Sequence, residues 1–375
     1  MLMAFLILPY LRCMPLFSFE DLHEFVSSVF RNLSASREDA DLAANVLLSA
    51  DLRGIESHGL ARLSGYVRLW EKNRIRFSEH PVIIHQTPST ATLDAREGLG
   101  LAVAPRAMDL AIEMARQAGT GWVSVCNSSH FGIAGYHAMM ALPHDMIGIA
   151  MTNASPIVAP TFSKERMLGT NPIAVAIPAG EEFPFVADFA TTTASNGKLE
   201  ILQRKEMQAP KGWVQDKDGK PSLNAHELKH GGAMLPLGSD RKGGSHKGYM
   251  LGSIVDIFSA IFSGANYGPW VPPFPAYLPM PEQMPGKGIG HFFGAIRIDA
   301  FRPAEEFRHH MDNWIRRFRQ AESAGNEKVL IPGDPERELE VIRRKEGIPV
   351  EIQSLKQMEE LADSFSVRLP APLIK

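Results

Sequence analysis

The chain has 375 residues, 45% of them hydrophobic and 22% charged, with 39 basic residues against 42 acidic ones and a formal net charge of −3. Such a length supports two domains, and the near-neutral balance lacks the basic excess of a phosphate-binding surface, which points to small molecules rather than nucleic acid. Two cysteines, Cys13 and Cys126, cannot build a disulfide framework and stand in no metal-ligand spacing, so a reducing, cytoplasmic setting fits.

In chain order, Met1 to Leu11 is apolar, but its only charge, Arg12, follows the run instead of preceding it, and no small-residue cleavage site closes it. The run is also too short to span a bilayer. Residues 1–13 therefore read as an upstream extension, with Met14 as an alternative start, and no membrane segment is expected. Residues 18–72 read as helical. Ser18 and Ser36 each stand three residues before an acid, Asp21 and Asp39, which is a helix-start pattern. Arg74 to Pro81 breaks the periodicity, and Leu101 to Gln117 forms a further helix closed by Gly119.

Beyond Gly119 short runs rich in Val and Ile, bounded by Gly, Pro, Asn or Asp, read as buried strands: Trp122 to Cys126, Ile147 to Met151, Ile173 to Ile177, and Phe185 to Ala187. Lys247 to Phe262 returns to helical spacing, and Pro269 to Pro285 is a proline-rich loop. A last strand over Phe292 to Ile298 precedes a charged amphipathic helix from Pro303 to Phe318, and two short helical patterns follow Pro332. Helical ends around a mixed middle predict an α/β protein in two parts. Residues 14–90 and 303–375 would form a mainly helical domain, packed on an α/β domain of residues 91–302.

Several constellations could carry chemistry. His58, Arg62 and Tyr66 stand four apart twice over, so on a continuous helix they share a face. Arginine clamps a carboxylate bidentately, and histidine moves protons near neutral pH. The ordinary alternative is a solvated helix face with Arg62 paired to Glu56 or Asp51, and spacing alone favours it. Asn127 to Gly132, containing His130, follows a strand end, where catalytic groups often sit. Gly169-Thr170-Asn171-Pro172 and Asp188 with Gly197-Lys198 offer glycines for close approach and an acid for a ribose hydroxyl. Gly243 to Gly248 before a helix makes an anion site of backbone amides and Lys247. No Gly-x-Gly-x-x-Gly follows a strand, which argues against a Rossmann fold. His226-Glu227-Leu228-Lys229-His230 matches the zinc-protease pattern, but Gly231-Gly232 follows at once and a third ligand is lacking at the expected spacing.

Taken together, these segments resemble the malate/L-lactate dehydrogenase family that is distinct from the Rossmann-type lactate and malate dehydrogenases and includes ureidoglycolate, sulfolactate and diketogulonate oxidoreductases. The resemblance is carried by Ala50 to Gly59 with Arg62 and Tyr66, and by Ser129-His130-Phe131-Gly132 and Thr152-Asn153. It continues through Gly169 to Pro172, Asp188 with Gly197-Lys198, His246-Lys247-Gly248 and Pro332-Gly333-Asp334, in family order. It implies a non-Rossmann NAD(P)-binding fold, a homodimer, and hydride transfer to or from C2 of a small 2-hydroxy or 2-oxo carboxylate, with no metal required. His130 matches the proton acceptor of ureidoglycolate-type members and His58 the proton donor of diketogulonate-type members, while Ser57, Arg62 and Tyr66 match substrate positions. The cofactor, NAD slightly ahead of NADP, would lie against Ala154, Asp188, Phe189, Ala190, His246, Lys247, Gly333, Asp334 and Pro335. Rival readings are a reductase of a cyclic imine acid or diketo sugar acid and, from another class, a zinc hydrolase using His226 and His230. Phe189 stands where the family often has Met, and the loop 269–285 has no evident family counterpart.

Overall fold

The computed structural model describes residues 14–373; the N-terminal extension read at 1–13, and Cys13 with it, lies outside them. A two-residue strand β1 (Leu16–Phe17) leads into helices α1 (Phe19–Asn32), α2 (Arg37–Leu52) and α3 (Leu63–Glu71). Both helix starts are as read from the sequence. Ser18 Oγ accepts the Asp21 N–H and Ser36 Oγ the Asp39 N–H, each at 3.0 Å. The continuous helix expected over residues 18–72 is not formed, because Gly54 takes φ +76° after α2 and the chain makes two short 3₁₀ turns, Glu56–His58 and Leu60–Arg62, before α3.

The next elements are β2 (Val82–Gln86), β3 (Thr90–Asp94), α4 (Gly100–Ala118), β4 (Thr120–Ser128), α5 (Ala134–Met139), β5 (Met146–Thr152), β6 (Ile173–Ile177) and β7 (Phe185–Phe189). Gly119 closes α4 at φ +85°, as its place after the periodic run required. Helix α6 (Asn196–Arg204) and three short strands follow: β8 (Val214–Gln215), β9 (Pro221–Ser222) and β10 (Ala233–Met234). Helix α7 (Ser245–Asp256) runs on into a π-turn over Ile257–Ile261. The chain ends with β11 (Ile289–Arg297), α8 (Ala304–Arg319), α9 (Asp334–Glu346), β12 (Ile348–Pro349) and α10 (Ile352–Phe365).

Among the described residues seven strands form one mixed sheet in the order β2-β3-β4-β11-β5-β6-β7, in which only β3 and β4 run parallel, joined through α4. The parallel, doubly wound order of a Rossmann sheet is absent, in line with the missing glycine fingerprint. A buried core of Val123, Val125, Phe293, Ala295, Met108 and Ala111 binds α4 to one face of this sheet. A second core joins α1 to α3 with Ile348, Val350, Met358 and Leu361, and β1 pairs with β12, so segments far apart in sequence share this core. A third, smaller core of Leu199, Leu202, Val214, Ala225 and Met234 lies under α6 and the β8–β10 sheet, a unit the sequence reading did not anticipate. Helix α8 is pinned to the β6–β7 connection, where the Asp312 carboxylate accepts the N–H groups of Gly180, Glu181 and Glu182 at 2.9–3.0 Å. Among the described residues no helix is long and apolar enough to cross a membrane.

Candidate active site

The Ser57-His58-Gly59 turn is shaped from below by Asp51 at the end of α2. Its Oδ2 accepts the Leu60 N–H at 2.7 Å, and a Cβ added at Gly59 would lie 2.1 Å from that oxygen, so only glycine fits there. Burial pushes the Asp51 carboxyl up to about 8, so near neutral pH it serves as an uncharged anchor. Arg343 of α9 caps the arrangement by donating to the Asp51 carbonyl and, at 2.5 Å, to Glu56.

His58 and Arg62 thus stand on two successive 3₁₀ turns and Tyr66 on α3, not on one helix face, yet they still converge with His130. Tyr66 Oη and His130 Nδ1 are 2.6 Å apart, and the His58 and His130 rings stack at 5.6 Å. Ser57 Oγ bonds His58 Nδ1 at 2.9 Å, and Arg62 Nε donates to the Ser57 carbonyl at 2.6 Å. Ser57, His58, Arg62, Tyr66 and His130 therefore form one cluster. Burial, then the Arg62 charge, pushes His58 down to about 4. His130 is lowered well below its ordinary value by burial and by His58 and Arg62. Both rings are neutral near pH 7, the state in which one can take a proton.

His130 is held rigidly because it follows directly on β4. Ser129 Oγ accepts the Gly100 N–H at the start of α4 at 2.8 Å, and Phe131 is packed between the rings of His137 (4.7 Å) and His291 (4.8 Å). His291 itself bridges Thr152 Oγ1 of β5 (2.7 Å) and Ser128 Oγ of β4 (2.8 Å). Sequence reasoning missed these two supporting histidines, which lie singly inside a helix and a strand. It also missed Phe274. The proline-rich loop lays this ring against Tyr66 (5.3 Å) and His130 (5.0 Å) and within 5.9 Å of the Arg62 guanidinium. Gly65 makes room for it, since a Cβ there would come within 2.7 Å of the ring.

The residues matched to cofactor positions divide. Asp188, Phe189, Gly333 and Pro335 line one cleft of about 390 Å³ together with Arg53, Gly135 and Glu336. Asp188 Oδ2 accepts the Gly135 N–H at 2.8 Å, and its Oδ1 has no protein partner among the described residues. Gly333, at φ +96°, lets the turn before α9 approach β7, with a virtual Cβ 3.0 Å from Val186. Asp334 is turned inward instead, bonded to the Ile331 N–H, Arg319 and Arg337. Ala154, Ala190, His246 and Lys247 do not line this cleft. Ala154 donates its N–H to Asn171 Oδ1 at 3.1 Å, and His246 lies half-buried at the start of α7 beside Arg241. His226 precedes and His230 ends a single 3₁₀ turn, and among the described residues no group of three potential ligands gathers there to hold a metal ion.

Residues 17–359 match the family model described as malate/L-lactate dehydrogenase. The chain is 41% identical over 351 residues to a malate dehydrogenase of Pyrococcus abyssi, covering 93% of this chain and 94% of that protein. It is 35% identical over 350 residues to an L-sulfolactate dehydrogenase of Methanocaldococcus jannaschii, covering 93% and 97%. The crystal structure of a malate dehydrogenase from Entamoeba histolytica superimposes with a TM-score of 0.89 at 34% identity, over 96% of this chain and all of that one. With the non-Rossmann sheet and the His58–Arg62–His130 cluster in place, these likenesses settle the family: the chain belongs to the malate/L-lactate dehydrogenases.

Proposed function

We propose that the protein is a nicotinamide-dependent dehydrogenase of small 2-hydroxy acids of the malate and sulfolactate kind, acting reversibly on the matching 2-oxo acids. The observation that carries this reading is the convergence of a guanidinium, Arg62, with two neutral imidazoles in one cluster. The Arg62 fork takes the substrate carboxylate, which fixes C2 and its oxygen relative to the histidines. When bound, the nicotinamide supplies or accepts the hydride at C2. His130 takes the hydroxyl proton at Nε2 during oxidation and returns it during reduction. Nδ1 is the nitrogen that meets Tyr66 Oη at 2.6 Å and the Gly132 N–H at 3.3 Å, which leaves Nε2 as the nitrogen for the substrate oxygen. Tyr66 thus orients His130, while His58, held by Ser57, positions the substrate oxygen. Phe274 shields the cluster from water.

The cleft beside β7 suits a dinucleotide. Asp188 is anchored through one oxygen and offers the other to a ribose diol, and a carboxylate in that place disfavours a 2′-phosphate, so NAD is the expected partner. A screen of 2-oxo acids followed by nicotinamide absorbance near roughly 340 nm, with NADH and NADPH in parallel, tests the whole reading. Turnover of no 2-oxo acid with either cofactor would remove it.

Replacing Arg62 by lysine substitutes a point charge for a planar fork, so KM for the 2-oxo acid should rise about tenfold or more with a smaller effect on kcat. An unchanged KM would refute the clamp. The homodimer is also proposed here. Met250, Ile254, Ile257 and Ile261 are 42–54% exposed in a row along α7 and its π-turn, a surface that a second copy would bury. Sedimentation velocity should show a dimer at micromolar concentration, and a monomer there would oppose the proposal. Cys126 is free and buried, consistent with the reducing, cytoplasmic setting proposed for the protein.

A further inference from the structure

The Arg62 guanidinium is approached by a carboxylate of the protein itself. Its Nε–H is taken by the Ser57 carbonyl at 2.6 Å, and Phe274 lies within 5.9 Å of its carbon, so the Nη1/Nη2 edge is what remains for a ligand. On that edge Nη2 meets Glu200 Oε2 at 3.4 Å, while Nη1 has no protein partner among the described residues. The contact is long and single rather than bidentate, and the two side chains are 22% and 38% exposed. Glu200 is not there by chance rotation of a free side chain. Its other oxygen is held at 2.8 Å by Asn196 Nδ2, one turn earlier on α6. That turn is pressed on the active-site loop, since a Cβ at Gly197 would lie 2.3 Å from the Ser57 Cβ. Glu200 also lines two clefts together with Arg62.

We propose that Glu200 is a specificity-determining residue that occupies the substrate-carboxylate edge of Arg62 in the empty enzyme, so that a substrate binds by displacing it. This rests on Arg62 being the carboxylate clamp. A ligand carboxylate gains two short charge-assisted bonds in place of one long one, which drives the exchange. A neutral analogue has no such gain and leaves Arg62 with its internal partner. Glu200 therefore keeps the affinity for carboxylates below what Arg62 alone would give, and the exposure of the pair keeps this competition modest.

The test is Glu200→Gln, with Asn196→Ala as a second variant that loosens Glu200 without removing its charge. Steady-state kinetics with a 2-oxo acid would be read beside calorimetric titration of oxamate, a non-reacting carboxylate, into the cofactor-free protein. In Glu200→Gln both KM and the oxamate Kd should fall about three- to tenfold, with Asn196→Ala moving the same way by less. The rise in kcat/KM should come from KM and not from kcat. A KM and Kd that rise, or that stay within experimental error of the parent, would overturn the proposal. Arg62→Lys keeps the two readings apart. If it raises KM while Glu200→Gln changes nothing, the clamp stands and the competition is wrong; if Arg62→Lys leaves KM untouched, the clamp itself has failed.

Discussion

His130→Ala should lower kcat by about 10²–10⁴-fold, the range that a positioned acid–base group contributes, while reduced nicotinamide still binds. The separation is expected because the Asp188–Gly333 cleft does not include His130 among its lining residues. Steady-state absorbance would report kcat, and quenching of nicotinamide fluorescence would report binding. A variant that turns over at near the parent rate would show that the proton travels by another route, with His58 as the first candidate. Tyr66→Phe is the informative companion. It leaves the imidazole but removes the bond at Nδ1, worth about 1–3 kcal/mol in a buried setting, so kcat should fall about ten- to a hundredfold. KM should move less, because the Tyr66 hydroxyl is bonded to His130 and not to Arg62.

The second large effect is expected at a residue with no side chain. Gly59→Ala places a methyl 2.1 Å from an Asp51 oxygen that is itself fixed by the Leu60 N–H, so the turn carrying Ser57, His58 and Arg62 must shift. Overpacking of this kind costs about 1–3 kcal/mol of stability. A displacement of about 1 Å at the reacting groups reduces kcat/KM by about a hundredfold. Thermal unfolding and kcat/KM measure the two consequences separately. Removing the obstructing carboxylate with Asp51→Ala should restore part of the lost stability in the double variant, giving a coupling energy in a mutant cycle. Strict additivity of the two changes would mean that the clash is not what makes Gly59 necessary.

Much of this architecture could be read from the residues, and the reasons are specific. β5 and β6 lie inside the sheet, so their Val, Ile and Ala runs had few other homes. The serine caps of α1 and α2 announced themselves by spacing. β2 was missed because all five of its residues are exposed, which leaves no buried period to detect, and β8 to β10 are too short to carry one. The site was legible as residue types in family order but not as geometry. Four-residue spacing suggested one helix face for His58, Arg62 and Tyr66, whereas Gly54 and Gly59 break the helix and assemble the same residues another way. Phe274, Glu200 and His291 reach the site from distant segments, and nothing local in the sequence marks them.

The position of β11 has a consequence for how the chain reaches this structure. This strand separates β4 from β5, although it follows both by well over a hundred residues; the Thr152–Gly290 hydrogen bond spans 138 positions. During synthesis β4 and β5 therefore wait as unpaired edges, templates for mispairing until the late strand inserts between them. Closing so long a loop before any sheet contact rewards it makes folding slow, and the rate-limiting step is expected to include docking of Ile289–Arg297. His291 rides on that strand, so the support beneath the His130 turn is completed in the same event that completes the sheet.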